Sequence, residues 1–165
     1  MTFVTDRALS QSAVAFDAVE QALAAFNRLT VNDRLGVLWE VYTRMGNGVT
    51  PAATGAARLQ FAQGLLDQVK QLSHEEQLRF MGDLVNSYST PMTRAYGILT
   101  NNTKLAFWYQ LAEMMQSGEV IPVPLGYKLS ASARQVFSSI VTLEFGQQIA
   151  VLRRIVIPMG YDPLA

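Results

Sequence analysis

Along nearly every long segment of this 165-residue chain, apolar residues return at intervals of three and four, the spacing of one buried face on an α-helix. Residues 13–28 repeat at Phe16, Val19, Leu23 and Phe26, and residues 31–45 at Leu35, Leu38, Trp39, Tyr42 and Met45. Thr30 and Asp33 form a capping signature before the second of these, and Gly46 is suited to end it. A helix over 55–71 follows. Ser73 and Glu76 make a second capping box for a helix to about residue 87, with Leu78, Met81, Leu84 and Val85 on its stripe. Thr90-Pro91 opens a short helix, and Asn101 or Asn102 starts one to residue 117 that carries Leu105, Trp108, Tyr109, Ala112 and Met115. Ser130 caps a helix to 143, and 146–158 is the last. The one extended stretch is EVIPVPLGYKL, 119–129, where two prolines two apart forbid a helix. No strand pattern of useful length appears, so the expected class is all-α, with eight or nine helices and short links.

Composition then asks what so much apolar surface is for. Half the residues are hydrophobic and only 16% are charged, against roughly 25% in ordinary soluble domains. Disorder is excluded. Thirteen Lys+Arg against 13 Asp+Glu argues against a nucleic-acid partner, which calls for excess cation. With no cysteine and a single histidine, His74, disulfides, thiolate metal sites and multi-histidine sites are excluded too. The start, MTFVTDRALSQS, lacks the apolar centre of a signal peptide, and no apolar run approaches the roughly 20 residues of a membrane helix. The expectation is a cytoplasmic protein that does not span a membrane. Its hydrophobic excess belongs in a core, at a partner surface or around a ligand.

Catalytic constellations are weak. His74 follows a cap serine beside Glu75 and Glu76 and reads as a solvated first-turn residue. Asp17 and Glu20 read as an exposed helical face, and GNGVTPAATG is a turn without the lysine that phosphate binding needs. The chain is not expected to be an enzyme. The aromatics carry more information. Trp39 and Tyr42 share one helix face, and Trp108 and Met115, seven apart, share another. Such stripes are ordinary core, or they wall an elongated apolar pocket for a flat conjugated ligand. Periodicity does not decide between the two.

Three stretches are more specific: DRLGVLWEVYTRMG (33–46), NTKLAFWYQLAEMMQSGEVIPVPLGYKLSASA (102–133) and GQQIAVLRRIVIPMGYD (146–162). Together they resemble the carotenoid-binding N-terminal domain of the orange carotenoid protein family, over nearly the whole chain. The most distinctive part is a K-L-x-F-W-Y helix followed by a P-x-P-x-G-Y-K-L-S connection. That family continues through a linker into a C-terminal domain where this chain ends, so the resemblance implies a stand-alone helical carotenoid protein from a cyanobacterium.

The resemblance implies two discontinuous, interleaved four-helix subdomains with a ketocarotenoid, such as canthaxanthin or echinenone, between them. The expectation is one carotenoid-binding domain over 1–165, with 1–12 as an N-terminal arm. The family's clamp around one ionone ring falls on Trp39, Tyr42 and Trp108, with Leu35 and Tyr109 beside them. Gly55 falls where backbone approaches the polyene, and Met81, Leu105, Met115, Val123, Pro124 and Tyr127 line the passage. Ile149, Arg153 and Met159 come from the last helix, and Arg153 sits where the family's arginine bridges to the C-terminal domain. A solvated cationic helix end is the alternative for it. The implied function is photoprotection by quenching singlet oxygen. The alternatives are a phycobilisome-docking quencher at the thylakoid surface, a carrier that hands carotenoid to a C-terminal-domain homologue, and a pigment-free helical interaction module. A monomer or weak dimer without orange-to-red photoconversion is expected.

Overall fold

A computed structural model describes residues 17–45, 59–122 and 128–164. The expectations at Gly46, Gly55, Val123, Pro124 and Tyr127 lie outside these residues. Among the described residues there are eight helices and no strand. They are α1 (17–27), α2 (Val31–Met45), α3 (Leu59–Gln71), α4 (His74–Asn86), α5 (Pro91–Gly97), α6 (Asn101–Ser117), α7 (Ala131–Val141) and α8 (Phe145–Val156).

Local chemistry sets most of the helix ends. The Glu76 amide donates to Ser73 Oγ at 3.2 Å, and the serine hydroxyl donates to Glu76 Oε1 at 2.9 Å. Thr90 and Thr93 close a reciprocal box around Pro91 in the first turn of α5. Gly118 ends α6 at φ +81°, the left-handed conformation that a glycine adopts without strain. At α2 the expected cap takes a longer-range form. The Asp33 amide donates to Thr30 Oγ1 at 3.2 Å, while the Asp33 carboxylate accepts from Ser130, the cap of α7, at 2.9 Å. One aspartate thus ties together the starts of two helices that lie a hundred residues apart in the chain.

That pairing reflects the topology. Helices α3 to α6 are inserted between α2 and α7, yet α2 packs on α7 and α7 on α8, while α3 packs on α6 and α5. The two helix sets are interleaved in sequence and meet where α2 crosses α4 and α6 and where α8 crosses α6. Helix α6 is consequently central. Residues 103–109 are all buried, as are Leu111, Ala112 and Met114, so the middle of the helix is enclosed on more than the single stripe that periodicity suggests, while Asn102, Glu113 and Gln116 stay exposed. A further difference appears on α4. Its inner face is Gln77, Phe80, Met81 and Leu84, with Leu78 at 44% exposure on the rim. The reason is Gln77, which donates to the Val69 carbonyl at 3.0 Å and accepts from the Ile121 amide at 2.7 Å. A buried amide with both ends satisfied is tolerated in a core.

After α8 the chain runs back over α4 and α5 as a strap. Gly160 N donates to Leu84 O at 2.9 Å, Tyr161 N to Thr93 O at 3.1 Å, and Ser87 Oγ to Pro158 O at 3.2 Å. Gly160 sits at φ +74°, and a Cβ there would lie 2.7 Å from Tyr96 Cδ1 and 2.9 Å from Thr93 O.

Candidate functional site

The seam between the two helix sets holds a cavity of about 230 Å³, bounded by α2, α4, α6 and residues 121–122. Six of the residues expected from the sequence come together around it: Leu35, Trp39, Tyr42, Met81, Trp108 and Met115. Asn32, Gly36, Leu38, Leu78, Ala112, Ile121 and Pro122 complete the wall. Asn32 and Gly36 follow from helical spacing, since Asn32, Leu35, Gly36 and Trp39 are three or four apart. Ile121 has no local signal; it is held by Gln77, 44 residues earlier.

Hydrogen bonding leaves the aromatic residues with apolar faces to offer. The Tyr42 hydroxyl donates to the Leu105 carbonyl at 3.2 Å, and Trp108 Nε1 donates to the Tyr96 hydroxyl at 3.0 Å. Their polar atoms are spent on the protein, so what they present to the cavity is ring carbon. Burial raises both the Tyr42 and the Tyr96 hydroxyl well above the usual tyrosine value, with the Trp108 bond opposing that rise at Tyr96. Both stay neutral through the physiological range. Trp39 Nε1 is buried with no hydrogen-bond partner among the described residues, an unused donor on a residue of a mostly apolar wall.

The remaining expected residues are placed elsewhere. Leu105 is buried on α6 and contributes its carbonyl to Tyr42. The Tyr109 ring is buried too, and its hydroxyl donates to Glu113 Oε1 at 3.0 Å. Ile149 is partly buried against the core. Met159 lies in the strap, beside a separate cleft formed with Lys104 and Gly97. Arg153 is in the last turn of α8, where Nη2 donates to Asn102 Oδ1 at 2.6 Å and bridges α8 to the first turn of α6. Its neighbour Arg154 pairs with Glu20 on α1. Among the described residues no group of three His, Cys, Asp or Glu side chains could hold a metal ion, and no helix is long and apolar enough to cross a membrane.

Fold and cavity define an all-helical protein with an aromatic-walled apolar site at the junction of two interleaved helix sets. The family model for the orange carotenoid protein, N-terminal, matches residues 12–162, and the chain belongs to that family. It is 54% identical to an orange carotenoid-binding domain-containing protein of Nostoc sp. strain PCC 7120 over 170 residues, covering 100% of this chain and 99% of the relative. It is 41% identical to the orange carotenoid-binding protein of Limnospira maxima, matching 98% of this chain but spanning only 51% of that protein.

Two solved structures share the fold. The Orange Carotenoid Protein of Anabaena (Nostoc) sp. PCC 7120 binding canthaxanthin aligns with a TM-score of 0.80 at 46% identity, over 89% of this chain and 48% of that one. The Red Carotenoid Protein of the same organism, also binding canthaxanthin, aligns with a TM-score of 0.78 at 35% identity, over 87% of this chain and 99% of that one. The all-α, interleaved architecture expected from the sequence is the fold of these proteins.

Proposed function

We propose that this protein binds one ketocarotenoid non-covalently and acts in photoprotection, quenching singlet oxygen. The observation that carries the reading is the cavity wall: Trp39, Tyr42 and Trp108 converge from two helices, and the latter two have their polar atoms engaged by the protein. Such a wall accepts a flat apolar ring by stacking and dispersion. Met81 and Met115 add polarizable, adaptable edges. The Trp39 N–H, without a partner among the described residues, fits a ligand whose ring end carries an acceptor, as a ketocarotenoid does. Both canthaxanthin-binding neighbours support the same ligand class. When bound, the polyene would accept triplet energy and release it as heat. The protein's part is to hold the ring, exclude water and keep the site uncharged.

Leu105, Tyr109, Ile149, Arg153 and Met159, with Gly55, Val123, Pro124 and Tyr127, are proposed to contact the pigment beyond the aromatic cavity. Purification from a carotenoid-producing host tests the reading. About one pigment per chain is expected, with absorption to the red of the free pigment, and the holo protein should protect a singlet-oxygen probe better than the apo protein. A colourless protein that refuses added ketocarotenoid would overturn it.

A further inference from the structure

Tyr96 lies outside the cavity wall, is 0% exposed, and is bonded on both sides of its hydroxyl. The hydroxyl donates to the Val156 carbonyl at 2.5 Å and accepts from Trp108 Nε1 at 3.0 Å. The directions are not interchangeable, because a carbonyl only accepts, an indole N–H only donates, and a hydroxyl has a single proton. Committing that proton to Val156 aims an oxygen lone pair at the indole.

The tyrosine ring is itself held. Phe107 meets it edge-on at 5.3 Å and 71°. The Lys104 ammonium lies 5.5 Å from its centroid, while Nζ donates to the Ile157 carbonyl at 2.9 Å. Gly160 passes so close that a Cβ would come within 2.7 Å of Tyr96 Cδ1. The acceptor offered to Trp108 is therefore fixed by α8 and the strap, from outside the cavity wall.

We propose that Tyr96 is a positioning residue for the ligand site: through Trp108 Nε1 it sets which face of that indole forms the cavity wall, and it couples the wall to the C-terminal end of α8. A flipped indole would leave a buried N–H unpaired, which disfavours it by a factor of roughly ten or more. A stacking surface needs that kind of fixity, because aromatic stacking depends on ring orientation. The inference rests on the carotenoid-binding reading for its consequence, but the hold of Tyr96 on Trp108 stands apart from any ligand.

The test is Tyr96→Phe, which keeps the ring and its packing while removing the acceptor. In the apo protein carrying Trp39→Phe, Trp108 is the sole indole, and Tyr96→Phe should shift its emission maximum and change its near-ultraviolet dichroism. With Trp39 restored, affinity for added canthaxanthin should fall about tenfold, with a displaced absorption band. In a Trp108→Phe background the same substitution should change affinity by less than about twofold, since the indole that Tyr96 holds is gone. If the wild type takes up no canthaxanthin, the binding reading fails while the apo spectra still decide the coupling. If the wild type binds and Tyr96→Phe matches it in both spectra and affinity, or acts equally in both backgrounds, this inference falls and the binding reading stands. Should the variant not fold, hydrogen exchange in the wild type decides. The Trp108 indole proton should exchange at least about tenfold more slowly than that of Trp39, and equal rates would overturn the proposal.

Discussion

The cavity and the strap are built by opposite rules. Around the cavity, large side chains stop short of one another and leave about 230 Å³ open, with few internal polar bonds beyond those of Tyr42 and Trp108. Along the strap, backbone meets backbone. Gly160 and Tyr161 donate to carbonyls on α4 and α5, and Gly97 lies so close to the returning chain that a Cβ there would be 2.1 Å from the Tyr161 oxygen. Truncation of a wall side chain is expected to cost less, because open volume already adjoins it. The strap has no such room, because neither a carbonyl nor a helix backbone can step aside. Substitutions at the strap glycines and at the cavity-wall side chains should therefore separate stability from binding.

Gly97→Ala should have the largest effect. A methyl group driven into the Tyr161 carbonyl must displace the strap, at a cost of about 4 kcal/mol or more. Denaturant unfolding reads this directly, and a loss below about 1 kcal/mol would mean that the strap is not rigid. Gly160→Ala should fall next, combining a strained left-handed φ with contact on Tyr96.

A matched pair of truncations sharpens the contrast. Leu152, 0% exposed on α8, should cost about 3 kcal/mol as Leu152→Ala. Met115→Ala, at a partly buried residue already facing open space, should cost less than about 1.5 kcal/mol. Equal costs would show that the cavity wall is packed like the rest of the core.

Ligand retention should invert that order. Trp108→Ala should weaken carotenoid binding roughly tenfold, through lost stacking and a wider void. Phe26→Ala, fully buried on α1 and away from the cavity, should lower stability while each folded molecule keeps its pigment. Matching occupancy and spectra for the two variants, at equal folded fraction, would break the division between wall and core.

The smallest effect is expected at the surface. Lys70 and Glu119 pair at 3.0 Å between α3 and the chain after α6. Lys70 holds the Glu119 carboxyl below its ordinary value of 4.5, and Glu119 raises Lys70 above 10.5. A depressed carboxyl stabilises fully above its unfolded value, and that contribution is lost as pH falls through the lower folded value; for the raised lysine it is lost as pH climbs through the higher one. The difference in Tm between wild type and Glu119→Gln should thus be greatest near neutrality and close in acid. A pH-independent difference would assign the effect to something other than the ion pair.

What could be read from the chain alone was the part governed by neighbours in sequence. Helix starts at Ser73, Thr90 and Ser130 and the stop at Gly118 emerged because caps act within one turn. The family resemblance rested on contiguous motifs, and it named the aromatic residues that the fold gathers. Whether those aromatics were core or wall was not in the periodicity, since a helix buries either kind of face with the same spacing. In the tertiary structure Tyr42 and Trp108 are both, buried in the core cluster and lining the cavity, with their polar atoms turned onto Leu105 and Tyr96. Gln77, Tyr96 and Gly160 had no local signature at all. Their partners lie 44, 60 and 76 residues away, at Ile121, Val156 and Leu84. A hydrogen bond across that distance is set by which helices the topology brings together, and no spacing rule along the chain encodes it.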